Sequence, residues 1–414
     1  MSSSLSARHL IETRVARRAE HSTKDDFQDT CSFAQAERLF GREYHGRYLV
    51  ELLQNAADAW RLGLTPNEPT DACVIIESEP AALVVANRGP TFPAETVLES
   101  LGQIGRSSKR PGEAIGHKGI GFKSVLEVSN SPEIYSGLAG SVPELAVRFD
   151  ADRALETIRA ASPQWDEWIE ADRDFAGQPL RAVPVLRYPS WVEQPPPVVR
   201  ELAEQGFTTV VRLPFDGEPA DLPTWLEKVR GSLTHASDQI LVLLGCFNQV
   251  VLEDRGGDAA REVIRVEISQ AHLKKGRSRE DVRVSRNGAP SSNWVLYRMS
   301  ATKVGDITNE TAVGLRLSVD GGDVPVHAVT GAVAGASEAA ASAPFHLFFP
   351  TKIGSGLPFL LHGYFEVDAG RTGFFGGSAD RNNAILEQLA DLTAAAVNHT
   401  AKQRSADLVG LVNL

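Results

Sequence analysis

Apolar and polar positions follow two periods along this chain, and the changes between them set out its elements. Residues 1–40 are charged and carry helical spacing. From Glu43 to Ala59, Tyr48, Leu49, Leu52, Leu53, Ala56 and Ala57 recur at the spacing of one helix face. Two runs of strand formers follow, ACVIIES from Ala72 and ALVVANRG from Ala82, ended by Glu79-Pro80 and Arg88-Gly89-Pro90. Ala94 to Ile104 again reads as helix and leads into a Gly-, Ser- and Lys-rich segment, Gly105 to Gly121. FKSVLEVS beyond it predicts one more buried helix. Residues 150–205 carry a weaker pattern, with Pro195-Pro196-Pro197 as a stiff connector. FTTVVRLPF from Phe207 is a strand.

A second region opens with a predicted helix near 223–245 and continues with strand-like runs, QVVLE, EVIRVEIS, DVRVSR and AVGLRLSVD. Gly331–Ala343, almost all Ala, Gly and Ser, reads as a loop. HLFFPTKIGSGLPFLLHGYFEVDAGRTGFF is dense in strand and turn residues, and Asn383 to Leu414 is helical in pattern. No internal repeat is visible. The pattern predicts an α+β chain in four parts: an N-terminal helical segment (1–40), two mixed domains (41–220 and 221–380) and a C-terminal helix (381–414). An end without a cap or polar tail suits the front of a longer protein.

Charge narrows the choice of partner. Lys and Arg total 42 against 53 Asp and Glu, a formal balance of -11. That argues against gripping nucleic acid with the whole surface, though not against a local basic patch. Cys31, Cys73 and Cys246 have neither zinc-ligand nor disulfide-framework spacing. No signal-peptide core and no run of about eighteen apolar residues occurs. The expectation is a soluble cytoplasmic protein with no membrane contact.

Four pieces of sequence carry candidate chemistry. In ELLQNAADA, helical spacing puts Glu51, Asn55 and Asp58 at i, i+4 and i+7 on one face, with Leu52 and Leu53 turned to a core. An Asn oxygen is a hard ligand suited to Mg²⁺, and a Glu beside it can hold a water and take its proton. In VVANRGPTF, Asn87 ends a strand and Gly89 permits close backbone approach. IGRSSKRPGEAIGHKGIGF brings Lys109 and Lys118 with glycines at 112, 116, 119 and 121, amides fit to cradle an anion at a helix start. Within it, IGHKGIGFKS misses a P-loop only by Phe122, inserted ahead of Lys123-Ser124. Last, Thr209 shares a strand face with Val211 and Leu213. Taken singly, each piece also fits a plain polar face, turn or strand.

Their fixed order resembles the Bergerat-fold (GHKL) ATPases, the superfamily of gyrase, heat-shock-90 chaperones, histidine kinases and MutL. EYHGRYLVELLQNAADA, VVANRGPTF, LGQIGRSSK and IGHKGIGFKSVLEVS look most like the ATPase domain of sacsin-like proteins, over about residues 40–215. The resemblance implies a Bergerat α/β sandwich over 41–220 and a transducer-like α/β domain over 221–380. It implies ATP and Mg²⁺ as cofactors, with Glu51 as general base and Asn55 as metal ligand. Asp58 supports the phosphate side, and Asn87 with Gly89 takes the adenine side. Lys109, Gly116, Gly119 and Gly121 approach the phosphates, and Thr209 stands near the base. Asn87 replaces the usual Asp and Thr91 the usual second glycine, and the stretch from Lys109 to Gly116 is short for a swinging lid. Lys352, on a Gly-rich loop, and Arg371, after a strand, are the candidate cations for the γ-phosphate.

By this resemblance the chain is an ATPase whose nucleotide state drives a conformational or dimerisation switch, self-associating as a homodimer and acting on a protein client or effector. The alternatives are a DNA-associated relative of MutL or topoisomerases, and a histidine-kinase-type enzyme. For the last, His9 and His21 lack the phosphoacceptor pattern.

Overall fold

The computed structural model describes the chain except at residues 1, 25–26, 44–45, 64–69, 103–120, 139–141, 235, 257–259, 274–275, 305–306, 318–342, 369–371 and 404–414. It is a mixed α and β protein that divides into two compact units. The first comprises Met1–Arg110, Gly116–His235 and Val251–Arg261; the second comprises Pro111–Ile115, Ala236–Val250 and Glu262–Leu414.

The first unit begins with α1 (Ser2–Lys24), α2 (Phe27–Glu43) and α3 (Tyr48–Gly63). The predicted strand pair follows as β1 (Thr70–Ser78) and β2 (Ala81–Asn87), an antiparallel hairpin. Next come α4 (Ala94–Thr96), widening into a π turn over Val97–Leu101, and a 3-10 turn over Gly121–Glu127. Then follow β3 (Glu133–Ser136), β4 (Leu145–Phe149), α5 (Ala151–Ala161), α6 (Trp165–Ala171), β5 (Pro189–Trp191), α7 (Pro197–Glu204), β6 (Thr209–Pro214) and α8 (Leu222–Leu233). The strands are ordered β1-β2-β6-β3-β4-β5, and β2-β6, β6-β3, β3-β4 and β4-β5 are all antiparallel.

Every residue of β2 is buried, which is why its sequence reads as a nearly unbroken apolar run. One face of the sheet (Ile75, Val84, Ala86, Val210, Tyr135, Ala146) packs on Val198, Val199 and Leu202 of α7. The helix α3 packs on β1 and β2 and buries Leu49, Leu52 and Leu53. Arg212 of β6 is buried between two carboxylates, its Nε 3.0 Å from Glu77 of β1 and its Nη1 3.2 Å from Glu133 of β3.

The second unit holds α9 (Asp238–Leu244), the start of β7 (Phe247–Asp254), and long strands β8 (Ala260–His272), β9 (Arg277–Arg286), β10 (Ala289–Val304) and β11 (Ile307–Leu317). It ends with β12 (Pro344–Leu347), β13 (Phe349–Gly354), β14 (Leu360–His362) and α10 (Ala379–Gln403). β8 to β11 form an antiparallel meander, and β14 pairs with β11 and, in parallel, with β12. Ile385, Leu389, Leu392 and Ala396, a helical stripe on α10, cover Val295, Tyr297, Val313 and Leu361.

Several expectations change. The helix near 223–245 is two helices, α8 and α9, broken at Thr234–Ser237. FKSVLEVS is not an α-helix but a 3-10 turn, whose Ser124 Oγ donates to the Gly121 carbonyl at 2.6 Å and competes with the α-helical bond. The last residue of the Pro195–Pro197 run starts α7, where a missing N–H costs nothing. Residues 150–205 are as structured as the rest. There Asp150 caps α5, its Oδ1 accepting from the N–H of Asp152 and Arg153. Strand β10 has no counterpart in the sequence reading. The loop expected over Gly331–Ala343 falls outside the described residues up to its last residue, and so does the helix expected beyond residue 403. Among the described residues, no helix is long and apolar enough to cross a membrane.

Candidate active site

The helix α3 delivers the first predicted residues. Glu51 sits in its first turn, where its N–H donates to Arg47 O at 2.9 Å. Its side chain is 6% exposed and that of Asp58 fully buried, while Asn55 between them is partly exposed. The predicted polar face is therefore not a solvated surface: two of its three members are inside.

Gly121 meets that face. A Cβ at Gly121 would overlap Glu51 Oε2 and lie 2.9 Å from Glu51 Cδ. The start of the 3-10 turn thus rests directly on the carboxylate, a contact between residues seventy positions apart that a larger residue could make only by displacing the Glu51 side chain. The turn is held from several sides. The Lys123 ammonium donates to Leu101 O at 3.3 Å, and Trp225 Nε1 to Val128 O at 2.7 Å. Glu127 accepts from Gly46 N at 2.6 Å and pairs with Lys228 at 2.8 Å. Phe122 and Val125 are buried, and Lys123 is buried with them at 1% exposure. The turn packs on α2, which carries Glu37. Burial lowers the Lys123 pKa, an effect the Glu37 charge opposes. Burial also pushes the Glu37 carboxyl up to about 7, opposed by Lys123, by the N–H groups of Leu186 and Val185, and by Arg187.

The second and fourth pieces meet across the sheet. Asn87 and Thr209 are register partners in β2 and β6, and Thr209 and Ser136 are register partners in β6 and β3. Thr209 Oγ1 lies 2.7 Å from Ser136 Oγ, which also accepts from Phe92 N at 2.7 Å. The three polar residues form a row at one end of three adjacent strands. Asn87 Nδ2 donates to Arg88 O at 3.0 Å. Oδ1 is the acceptor of this side chain, and that bond orients it.

Behind the row, Thr208 ties the strand ends: its N–H donates to Asn87 O at 3.1 Å and its hydroxyl to Gly89 O at 2.8 Å. Arg88 reaches back to Gln205 O and Gly206 O and lies over the Phe207 ring. Gly89 has φ +131°, a left-handed conformation that favours glycine, and it lies against Ala59 of α3.

Glu51, Asn55 and Asp58 thus share a helix with the Ala59 backbone that Gly89 touches, while Gly121 caps Glu51 and Asn87 stands beside Thr209. Lys109, Gly116 and Gly119 lie outside the described residues, as does Arg371. Lys352 belongs to the second unit. It is exposed on β13 rather than on the expected Gly-rich loop, which follows that strand.

Sequence reasoning missed Ser136, Thr208 and Arg88. Ser136 ends EIYS as Asn87 ends its own strand, a position signal that becomes readable only once β6 is known to lie between them.

No family model matches the chain. An alignment of 104 positions, covering 24% of the chain, is 36% identical to Protein NO VEIN of Arabidopsis thaliana and takes in 3% of that protein. A second, of 186 positions and 37% of the chain, is 31% identical to Chaperone protein HtpG of Methylobacterium sp. (strain 4-46), over 30% of its length. A third, of 158 positions and 31% of the chain, is 27% identical to Chaperone protein HtpG of Halorhodospira halophila (strain DSM 244 / SL1), over 25% of its length. The chain spans less than a third of each of these proteins.

Proposed function

We propose that the first unit is a Bergerat-type nucleotide site that binds and hydrolyses ATP with Mg²⁺. The observation that carries this reading is the seating of Gly121 on the Glu51 carboxylate, which joins the two motifs assigned to phosphate and to water activation. The row Asn87–Thr209–Ser136 supports it from the other end of the site.

The residues present suit these groups. Gly121 offers backbone with no side chain, and Glu51, Asn55 and Asp58 are hard oxygen donors on one helix face. Asn55, partly exposed, would hold the metal, and Asp58 would back the phosphate side. Bound Mg²⁺ supplies charge neutralisation for phosphoryl transfer. Glu51 has the part of general base, holding an attacking water and accepting its proton. Its burial beneath Gly121 limits its contact with bulk water. Asn87 Oδ1 would accept from an adenine amino group, with Thr209 beside it. The resemblance adds Lys109, Gly116 and Gly119 on the phosphates, and Lys352 or Arg371 as the cation from the transducer-like domain.

The output of the site is a nucleotide-driven conformational or self-association switch, chaperone-like in character. The likeness to proteins named as chaperones supports this part. The reading is tested by phosphate release and nucleotide binding on wild type and Glu51→Ala. Release should vanish in the variant while ATP binding, measured by calorimetry, persists. Equal hydrolysis by both proteins would refute the assignment. The switch is tested by light scattering with and without a non-hydrolysable ATP analogue; an unchanged mass and hydrodynamic radius would refute it.

A further inference from the structure

Lys123 is among the largest fully buried side chains in the protein, yet it sits two residues after the glycine that covers Glu51. A buried lysine is costly unless its charge is met. Here its ammonium donates to Leu101 O at 3.3 Å, and the turn packs on α2, whose Glu37 is itself only 4% exposed and acts on the lysine through its charge. Leu101 and Lys123 are twenty-two residues apart and flank the whole Gly- and Lys-rich stretch. Their bond therefore fastens the two ends of that stretch to each other.

The N-terminal helices complete the fastening. Arg18 of α1 donates to Leu98 O and, at 3.0 Å, to Arg187 O. A Cβ at Gly102 would come 2.9 Å from Arg18 Nη1. Glu37 Oε2 accepts from Leu186 N at 3.4 Å. Helices α1 and α2 thus place one charged side chain behind each end of the stretch.

We propose that Lys123 is a positioning residue for Glu51: bonded to Leu101 O at 3.3 Å, it fixes the start of the 3-10 turn so that Gly121 is seated on the carboxylate. This rests on the reading of Glu51 as general base. The lysine of the near-miss P-loop works from inside the protein. It sets where the base stands, and the backbone of Gly121 is left to face the ligand. A displacement of the base by about 1 Å is enough to cost up to a hundredfold in rate.

The test uses the full chain as wild type, Glu51→Ala, Lys123→Met, Lys123→Arg and the neutral pair Glu37→Gln/Lys123→Met. ATP turnover, ATP affinity and amide exchange of residues 121–127 without nucleotide are measured on each. We expect Lys123→Met to lower kcat about tenfold or more, with ATP affinity held within about threefold of wild type. Exchange across the turn should rise, and Lys123→Arg should recover part of the rate. The neutral pair should keep the rate defect while restoring the melting temperature, which separates lost positioning from an unpaired buried charge. A neutral pair that turns over like wild type would overturn the proposal. So would a variant that loses affinity and rate in proportion, or one with unaltered exchange. Wild type no faster than Glu51→Ala is a different failure, that of the nucleotide reading itself, and it is seen before any Lys123 variant is compared.

Discussion

The backbone of Gly121 lies so close to the side chain of Glu51 that a methyl group there would stand 2.9 Å from the carboxylate carbon. Either the turn or the carboxylate must move to admit one more carbon. Gly121→Ala is therefore expected to lower ATP turnover by about tenfold or more while the fold survives. Phosphate release together with the melting temperature checks it; normal turnover in a normally folded variant would mean that Glu51 is not held by this contact.

Asn87 spends its Nδ2 on Arg88 O at 3.0 Å. An aspartate there would set a carboxylate oxygen against that carbonyl. We expect Asn87→Asp to lower stability by about 1–2 kcal/mol, although the acid is the residue usual for the resembled family. Denaturant midpoints of the two proteins measure this, and an Asp variant as stable as wild type would contradict it.

The hydroxyl of Thr209 has one close partner on the neighbouring strand, Ser136 Oγ at 2.7 Å. Thr209→Val keeps the shape and removes one partner of the serine, which keeps the Phe92 N–H. A loss of about 1 kcal/mol is expected, with weaker ATP binding if the row lines the nucleotide. Calorimetric titration separates the two effects.

Glu37 gives a pH dependence with a defined sign. Burial raises its carboxyl to about 7, against Lys123 from the 3-10 turn and, from the Val185–Arg187 stretch, Arg187 and the N–H groups of Val185 and Leu186. Between the ordinary glutamate range, about 4.3, and that value, the folded protein keeps a proton that the unfolded chain has lost. Stability from this group is full at low pH and is lost as pH rises through about 7. Relative to Glu37→Gln, wild type should lose melting temperature between pH 5 and 8. A constant difference across that range would show that Glu37 does not titrate there.

Arg212 is buried at the centre of the first unit's sheet between Glu77 and Glu133. Arg212→Met takes the close counter-charge from Glu77 and Glu133, leaving Glu133 with Arg148 at 3.9 Å and the Tyr135 hydroxyl, and is expected to cost about 3 kcal/mol. Urea unfolding measures it, and a loss under about 1 kcal/mol would mean that the carboxylates find other partners.

Much of the first unit could be read from residue order alone. Strands β1, β2 and β6 are runs of β-branched and apolar residues, and α3 has a continuous apolar stripe, so period and composition agree there. The places of Glu51, Asn87 and Thr209 on these elements were legible because each stands at a fixed point of a regular pattern. Lys123 was not: a lysine reads as surface, and only the packing of α2 against the 3-10 turn supplies Glu37 to receive it. The break between α8 and α9 was missed because apolar residues continue on both sides of it. β10 was missed because its first residues, Ala289 to Asn293, are small or polar. Ser136 gains meaning from strand order, which short-range pattern does not carry.

That order also sets the time at which the site can exist. The hairpin β1–β2 and the hairpin β3–β4 are both synthesised by Phe149, yet they are not paired with each other in the sheet; β6, made some sixty residues later, is the strand that lies between them. Until Thr209–Pro214 leaves the ribosome, Asn87 and Ser136 sit on separate pieces of nascent chain. The polar row is thus completed last, by its most distant contributor. Contacts of such long sequence separation form slowly, so a chain arrested before Phe207 would carry most of the motif residues without the assembled row.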